Sequence, residues 1–265
     1  MRRTMVKTAN QTDVGRVRMV NEDRAIVQEN LNGFVLAIVA DGMGGHQAGD
    51  VASQMAVDII QSELQSIARD ATIEQRRELV KQAVELANRQ IFDVASEREN
   101  YYGMGTTVVT VLADTQSVVI GHIGDSRAYR ISGGAIEQLT EDHSLVNELV
   151  KNGQITREEA THHPRRNVLT RALGTEATIE VDIQDFQWQT GDVLLICSDG
   201  LSSLVSSEQL LRLVNGEEEI LEDKAQKLVN EALEAGGDDN ITVVLVSNAA
   251  DSLSGEAEHF DGETG

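Results

Sequence analysis

The sequence has few of the features that mark secreted or membrane-spanning proteins. Among 265 residues there are one cysteine and one proline, and aromatic residues make up only 3%. The lone cysteine, Cys197, excludes an internal disulfide and favours a reducing compartment, so we expect a cytoplasmic protein. No apolar run reaches about 18 residues, and none follows the two N-terminal arginines. We therefore expect neither a transmembrane helix nor a signal peptide.

Basic residues are also scarce. The 22 Lys and Arg residues stand against 44 Asp and Glu residues, which gives a net charge of −22. So acidic a chain is not expected to bind nucleic acid or an anionic membrane, because both require basic surfaces. The excess of carboxylates suits metal binding, although a solvated acidic surface has the same composition. The 40% of hydrophobic residues is enough for a sizeable globular core.

Residues 35–46 combine a buried strand with a carboxylate and a glycine turn. Residues 35–40 are apolar throughout, which is typical of a strand covered on both faces. Asp41 and three glycines follow, and apolar residues at four-residue spacing then predict a helix over residues 48–67. Taken alone, Asp41 either holds a cation at the end of the strand or caps the following helix.

The remaining pattern predicts helices on both sides of an antiparallel meander. Further helices are predicted over residues 74–96, 207–214 and 218–235. Strands are predicted over residues 24–28, 105–113, 117–123, 128–131, 135–139, 192–198 and 241–247. This order lacks the regular alternation of strand and helix that is expected of a doubly wound parallel sheet.

Residues 140–174 form a long irregular excursion with two short predicted helices, at 145–151 and 157–160. Excursions of this length within a domain are more often functional than idle. His143, His162 and His163 lie in it, but they lack the close spacing of metal ligands, so we expect them on the surface or beside ligands.

Carboxylates recur beside glycine at the ends of predicted strands, at Asp41, Asp125, Asp199 and Asp239. Glu22 and Asp23 add a further acidic pair beside a strand. Turns and caps explain each position singly but not their recurrence, whereas convergence on cations explains all of them. Oxygen ligands favour Mg²⁺ or Mn²⁺ over zinc, and two such ions activate a water for attack on a phosphate ester.

The chain resembles the bacterial metal-dependent Ser/Thr protein phosphatases of type 2C, the PPM family, over residues 12–246. The resemblance rests on seven motifs in the family's order: TDVGRVRMVNED, VADGMGGH, GMGTT, GDSR, EDHSLVNELV, SDG and GGDDNIT. It implies an α+β fold, a four-layer α-β-β-α sandwich of two mainly antiparallel sheets flanked by helices. It also implies hydrolysis of phosphoserine and phosphothreonine in proteins by direct attack of a metal-bridging hydroxide.

The resemblance also implies a role for each matching residue. Asp41 bridges two ions of Mn²⁺ or Mg²⁺, with a contribution from the Gly42 carbonyl. Asp199 and Asp239 serve one ion, and Glu22 serves the other, partly through water. The other implied roles are phosphate binding for Arg18, orientation of metal-bound water for Asp23, a third metal site for Asp125 with Asp199, and a mobile flap at residues 144–166.

One position departs from the family. Many eukaryotic relatives have a histidine directly after the Asp-Gly pair, proposed as the general acid, where this chain has Met43, which cannot donate a proton. His46 is near in sequence, but we expect a metal-bound water to supply the proton.

The remaining expectations concern partners and domain limits. We expect a monomer with a phosphatase domain over residues 1–248 and an acidic, disordered tail over residues 249–265, acting on a Ser/Thr kinase and its targets. The rival interpretations are a dinuclear phosphodiesterase that acts on nucleotides and a catalytically silent module that binds phosphoproteins.

Overall fold

Two antiparallel sheets lie face to face in the computed structural model, which describes residues 4–44, 48–216 and 220–250. The strands are β1 (Thr4–Asp13), β2 (Asp23–Leu31), β3 (Phe34–Met43), β4 (Gly105–Thr106), β5 (Val108–Ala113), β6 (Ser117–Ile123), β7 (Arg127–Ser132), β8 (Ala135–Gln138), β9 (Asp182–Gln187), β10 (Val193–Cys197) and β11 (Ile241–Ala250). One sheet has the order β2-β3-β5-β6-β9, with β4 paired to β3, and the other has the order β1-β11-β10-β7-β8.

The helices lie on the outer faces of the sheets and in the excursion between β8 and β9. They are α1 (Ala48–Leu64), α2 (Ile73–Glu97), α3 (Leu145–Lys151), α4 (Arg157–Thr161), α5 (Asp199–Ser202), α6 (Ser207–Val214) and α7 (Leu221–Glu234), with a 3₁₀ turn at Glu99–Tyr101. Helices α1 and α2 pack on the first sheet, and α5, α6 and α7 pack on the second. Among the described residues, no helix is both long and apolar enough to cross a membrane.

The alternation of side chains along β3 explains the layering. Leu36 and Ile38 pack with the residues of α1 and α2, whereas Val35, Ala37 and Val39 face the other sheet and meet residues of β10 and β11. Successive side chains of a strand point to opposite faces, so a continuously apolar strand needs a partner layer on each side. The predicted four-layer α-β-β-α sandwich is therefore confirmed.

Two strands, β1 and β9, were not predicted from the sequence. Strand β1 pairs with β11 along ten residues at one edge of its sheet, and β9 pairs with β6 at the edge of the other. Both are half-polar, as edge strands usually are, so they lack the apolar run by which the central strands were identified.

Several predicted boundaries were wrong by a few residues. Strand β3 continues past Asp41 to Met43, α1 ends at Leu64, and the Asp199-Gly200 pair opens a short helix instead of a turn. Strand β11 continues to Ala250, two residues into the predicted tail. The rest of that tail, residues 251–265, lies outside the described residues.

Candidate metal centre

The ends of strands from both sheets meet around one acidic pocket. Carboxylates predicted from separate motifs line this pocket, together with two residues that follow the flap in sequence. The full lining is Arg18, Glu22, Asp41, Gly42, Met43, Gly44, Thr107, Asp125, Asn167, Leu169, Asp199, Asp239 and Asn240. The structure thus brings together all the predicted site residues except Asp23, which lies beside this lining.

Asp23 and Asp41 face each other across neighbouring strands, because the register of β2 and β3 pairs them directly. Asp23 is 2% exposed; its Oδ2 accepts a hydrogen bond from Ser198 Oγ at 2.7 Å, and its Oδ1 is buried with no hydrogen-bond partner. Burial raises the pKa of Asp23 to about 7, and Asp199 and Asp239 add to the rise. An unpartnered buried carboxylate oxygen needs a proton, a water or a cation.

The backbone of Asp41 is fixed on both sides by the β4 region. Its N–H donates to Thr107 Oγ1 at 3.1 Å, and its carbonyl accepts from Thr107 N and from Thr106 Oγ1, each at 2.9 Å. The pKa of Asp41 lies well above its ordinary value because the carboxyl is buried and because Asp23, Asp199 and two further carboxylates repel its charge.

Asp125 is presented by a tight turn after β6. Gly124 adopts a φ of +106°, and a Cβ at that position would lie 2.6 Å from the Thr107 side chain, so only glycine fits there. Thr107 Oγ1 in turn shares a 2.7 Å hydrogen bond with Ser126 Oγ. Burial raises the pKa of Asp125 to about 7, with a further contribution from Asp199.

Asp199 and Asp239 enter from the second sheet. Asp199 is the first residue of α5, after β10, and burial followed by repulsion from Asp239 raises its pKa to about 6. Asp239 precedes β11 and accepts a 2.7 Å hydrogen bond from Arg18 Nη2. The Arg18 side chain is 49% exposed, so its guanidinium lies at the mouth of the pocket.

Glu22 and Gly42 are held together by the start of α1. The Glu22 carbonyl accepts from Gly42 N at 3.2 Å and from Ser53 Oγ at 2.6 Å. Burial raises the pKa of Glu22, while the N–H groups of Asp50 and Gly49 oppose the rise by donating hydrogen bonds to it. A Cβ on Gly42 would lie 2.1 Å from the Gly49 carbonyl oxygen, which explains why this position of β3 requires glycine.

These residues fit divalent cations. Several carboxylates share one pocket, their pKa values are raised by burial and by one another, and one oxygen has no partner. Cations remove that repulsion, and a ligand set made of carboxylate and carbonyl oxygens suits Mg²⁺ and Mn²⁺ better than zinc.

Asn240 is a site residue whose role the sequence did not reveal. It is 6% exposed; its Oδ1 accepts from Glu22 N at 2.8 Å, and its Nδ2 donates to the carbonyls of Val14 and Val20 at 2.9 and 3.0 Å. The amide thus fastens both ends of the Arg18 loop to the start of β11. The asparagine in the GGDDNIT motif was the available signal, but its partners are remote in sequence.

The histidines divide into two groups. His162 is exposed and His163 is half-buried, whereas His143 is 3% exposed and hydrogen-bonded to the amide of Gly124, next to Asp125. His143 also lies beside His122 and Asp182, neither of which the sequence pattern singled out. Met43 lines the pocket, and His46 lies outside the described residues.

Comparison with known proteins agrees with this arrangement. The Protein phosphatase 2C family profile matches residues 14–235. The serine/threonine phosphatase stp of Listeria welshimeri is 43% identical over 235 residues, which are 89% of this chain and 93% of the relative.

Solved structures are similar over nearly the whole chain. The serine/threonine phosphatase of S. agalactiae has a TM-score of 0.86 at 38% identity and covers 91% of this chain and 99% of its own. A second structure is the catalytic domain of the serine/threonine protein phosphatase PstP in complex with two manganese ions. Its TM-score is 0.81 at 33% identity, and the match covers 93% of this chain and 100% of the PstP chain. The chain belongs to the protein phosphatase 2C family of metal-dependent serine/threonine protein phosphatases.

Proposed function

We propose that the acidic pocket holds two ions of Mn²⁺ or Mg²⁺ and that it hydrolyses phosphoserine and phosphothreonine in proteins. Asp41 would be shared by both ions, with the Gly42 carbonyl, Asp199, Asp239 and Glu22 completing the set. The observation that carries the proposal is the convergence of these carboxylates on one pocket, next to Asp23, which has an unpartnered buried oxygen. The manganese ions of the PstP structure support it.

When bound, such ions lower the pKa of water to supply a nucleophile and neutralise the oxygens of the phosphoryl group. Asp23 would orient that nucleophile, because Ser198 fixes its Oδ2 by a hydrogen bond and its Oδ1 has no hydrogen-bond partner. Asp125, with Asp199, would hold a third and weaker ion at the side of the pocket formed by the β6 turn.

Arg18 would bind the substrate phosphate. Its guanidinium is half-exposed at the mouth of the pocket and pairs with a single oxygen of Asp239. A cation that takes up the charge of Asp239 would release the guanidinium, whose two-pronged geometry matches two phosphate oxygens. Arg18 would therefore exchange one anionic partner for another as metal and substrate bind.

Protonation of the leaving serine or threonine oxygen needs a donor other than Met43, which lines the pocket without an acidic proton. We propose that water held in the pocket supplies that proton. The flap (residues 144–166) would then shape access for phosphoproteins. Its helices α3 and α4 contain no buried residue, and Asn167 and Leu169, which directly follow it, reach the pocket.

We also propose the setting in which the enzyme works. It would act as a cytoplasmic monomer on a Ser/Thr kinase and its substrates, with a phosphatase domain that continues to the end of β11 and an acidic tail after it. The single cysteine, buried in β10, suits a reducing compartment. Its burial raises the pKa of the Cys197 thiol to about 12, so this thiol is no candidate nucleophile.

The testing experiment compares phosphorylated substrates with and without metal. Purified protein treated with EDTA should not release phosphate from a phosphothreonine peptide, and Mn²⁺ or Mg²⁺ should restore turnover. A matched diester, bis(nitrophenyl) phosphate, should be a much poorer substrate. Turnover of the peptide in excess EDTA would refute the metal requirement, and a preference for the diester would favour the phosphodiesterase interpretation.

A further inference from the structure

We propose that His143 is a positioning residue that fixes the Asp125 turn and the base of the flap as one unit. The inference rests on the proposed function insofar as Asp125 is taken to be a metal ligand. His143 itself does not line the pocket, so it acts through its neighbours.

His143 and Gly124 are joined by hydrogen bonds in both directions. The His143 backbone N–H donates to the Gly124 carbonyl at 2.8 Å, and the Gly124 N–H donates to His143 Nδ1 at 3.0 Å. Gly124 directly precedes Asp125, and contact with Thr107 leaves no room for a side chain at this glycine. The imidazole therefore sets the orientation of the peptide that leads into the Asp125 carboxylate.

His143 also joins the two segments that flank the flap in sequence, which form its base. The His143 carbonyl accepts from Thr170 N at 2.9 Å, and the next residues along pair as Ser144 with Leu169. The flap thus begins directly after His143, and the segment that follows it pairs with His143 and Ser144. Any displacement of its base is transmitted to the imidazole and from there to the Asp125 turn.

The second ring nitrogen is fixed by a carboxylate on β9. Because the Gly124 N–H points at Nδ1, the neutral imidazole carries its proton on Nε2 and donates it to Asp182 Oδ2, at 3.1 Å. The other oxygen of Asp182 accepts from Arg171 Nη1 at 3.0 Å. Burial lowers the pKa of His143, so the ring stays in this neutral form at neutral pH.

A metal site is the alternative explanation of this cluster. His122, His143 and Asp182 offer ligand atoms within 4.8 Å of one another, and both ring nitrogens of buried His122 lack a hydrogen-bond partner. A cation on His143 Nε2 would move the ring proton to Nδ1, where it would face the Gly124 N–H. It would also compete with Arg171 for Asp182. The geometry thus favours a hydrogen-bonding role.

Three substitutions of His143 separate the two ring contacts. His143→Asn keeps an acceptor near the position of Nδ1, His143→Gln keeps a donor near the position of Nε2, and His143→Ala keeps neither. His122→Leu is the matched control, since its ring lies 4.7 Å from that of His143 but makes neither contact. The readouts are the exchange rate of the Gly124 amide by NMR in metal-free protein, Mn²⁺ binding by calorimetry, and the Mn²⁺ concentration that gives half-maximal turnover.

We expect His143→Ala and His143→Gln to speed exchange of the Gly124 amide and to raise the half-maximal Mn²⁺ concentration about tenfold, the usual effect of losing an outer partner of a ligand. His143→Asn should stay close to wild type in both readouts, because it keeps the acceptor for the Gly124 N–H. His122→Leu should leave both readouts unchanged.

Slow amide exchange and an unchanged Mn²⁺ requirement in His143→Gln would overturn the proposal. So would a loss in His143→Asn as large as in His143→Gln, or stoichiometric zinc in wild-type protein that His122→Leu abolishes. Failure of the proposed function is distinguishable, because wild-type protein would then lack Mn²⁺-dependent turnover, or Asp125→Ala would keep the turnover of wild type, while the amide exchange still reports on His143.

Discussion

Replacement of Asn240 by alanine tests whether the Arg18 loop is held in place by this one amide. The substitution removes the acceptor of the Glu22 N–H and the donor to the carbonyls of Val14 and Val20. Asn240 is only 6% exposed, so water cannot readily replace these hydrogen bonds. At about 1 kcal/mol for each hydrogen bond, we expect the free energy of unfolding to fall by about 3 kcal/mol. Because the loop carries Arg18 and leads into Glu22, we also expect a higher KM for phosphopeptide and weaker Mn²⁺ binding.

Asn248, on the strand that directly follows Asn240, offers a matched control. It is fully buried, its Nδ2 donates a single hydrogen bond to Thr115 O at 3.2 Å, and it lies at the far end of β11 from the pocket. Asn248→Ala should therefore cost about 1 kcal/mol of stability, with wild-type KM and Mn²⁺ affinity. Urea unfolding measures the free energy of unfolding of each variant. Steady-state kinetics measure KM, and calorimetry measures the affinity for Mn²⁺. Wild-type KM and metal affinity in a folded Asn240→Ala protein would refute the reasoning.

Three further predictions concern single groups of the pocket. Arg18→Ala should keep Mn²⁺ binding but lose about 10- to 150-fold in kcat/KM, because it removes about 1.5–3 kcal/mol of charge-assisted hydrogen bonding to phosphate. The control variant Arg16→Ala should lose little of kcat/KM. Equal losses in the two variants would contradict the role of Arg18. Asp125→Ala should keep two tightly bound ions yet lose most of kcat, and a crystal of this variant with no bound metal would show that Asp125 has another role. In EDTA the free energy of unfolding should fall by about 1.4 kcal/mol per pH unit per proton between about pH 4 and about pH 7, because Asp23, with its pKa raised to about 7, holds a proton in the folded protein that the unfolded chain releases near pH 4. Saturating Mn²⁺ should abolish that slope, and an unchanged slope in calorimetry would contradict the proposed occupancy.

The central layers of the fold could be predicted because their signals are local. Strand β3 is apolar at every position from Val35 to Ala40, and α2 carries an apolar stripe and an N-terminal capping box between Thr72 and Gln75. The edge strands β1 and β9 could not be found in this way. Their pairing depends on β11 and β6, and their own residues show only a weak alternation.

The carboxylates that line the pocket could be predicted from their recurrence beside glycine, but the groups that hold them in place could not. Asn240 reaches carbonyls 220 and 226 residues away in sequence, and Ser198 reaches Asp23 across 175 residues. His143 was expected near ligands or on the surface, but its contact with Gly124 depends on how the irregular excursion folds back onto β6. Such pairings are set by the packing of the two sheets and leave no periodic trace in the chain.

Calorimetric titration of Mn²⁺ into metal-free protein, in wild type and in Asp41→Asn, tests whether the pocket holds two cations that share Asp41. Asp41 faces Asp23 across β2 and β3 and is repelled by the carboxylates around it, so a shared pair of cations should depend on its charge. We expect two tightly bound ions in wild type, and neither tight site nor phosphopeptide turnover in a folded Asp41→Asn protein. Two tight ions and wild-type turnover in Asp41→Asn would contradict this expectation.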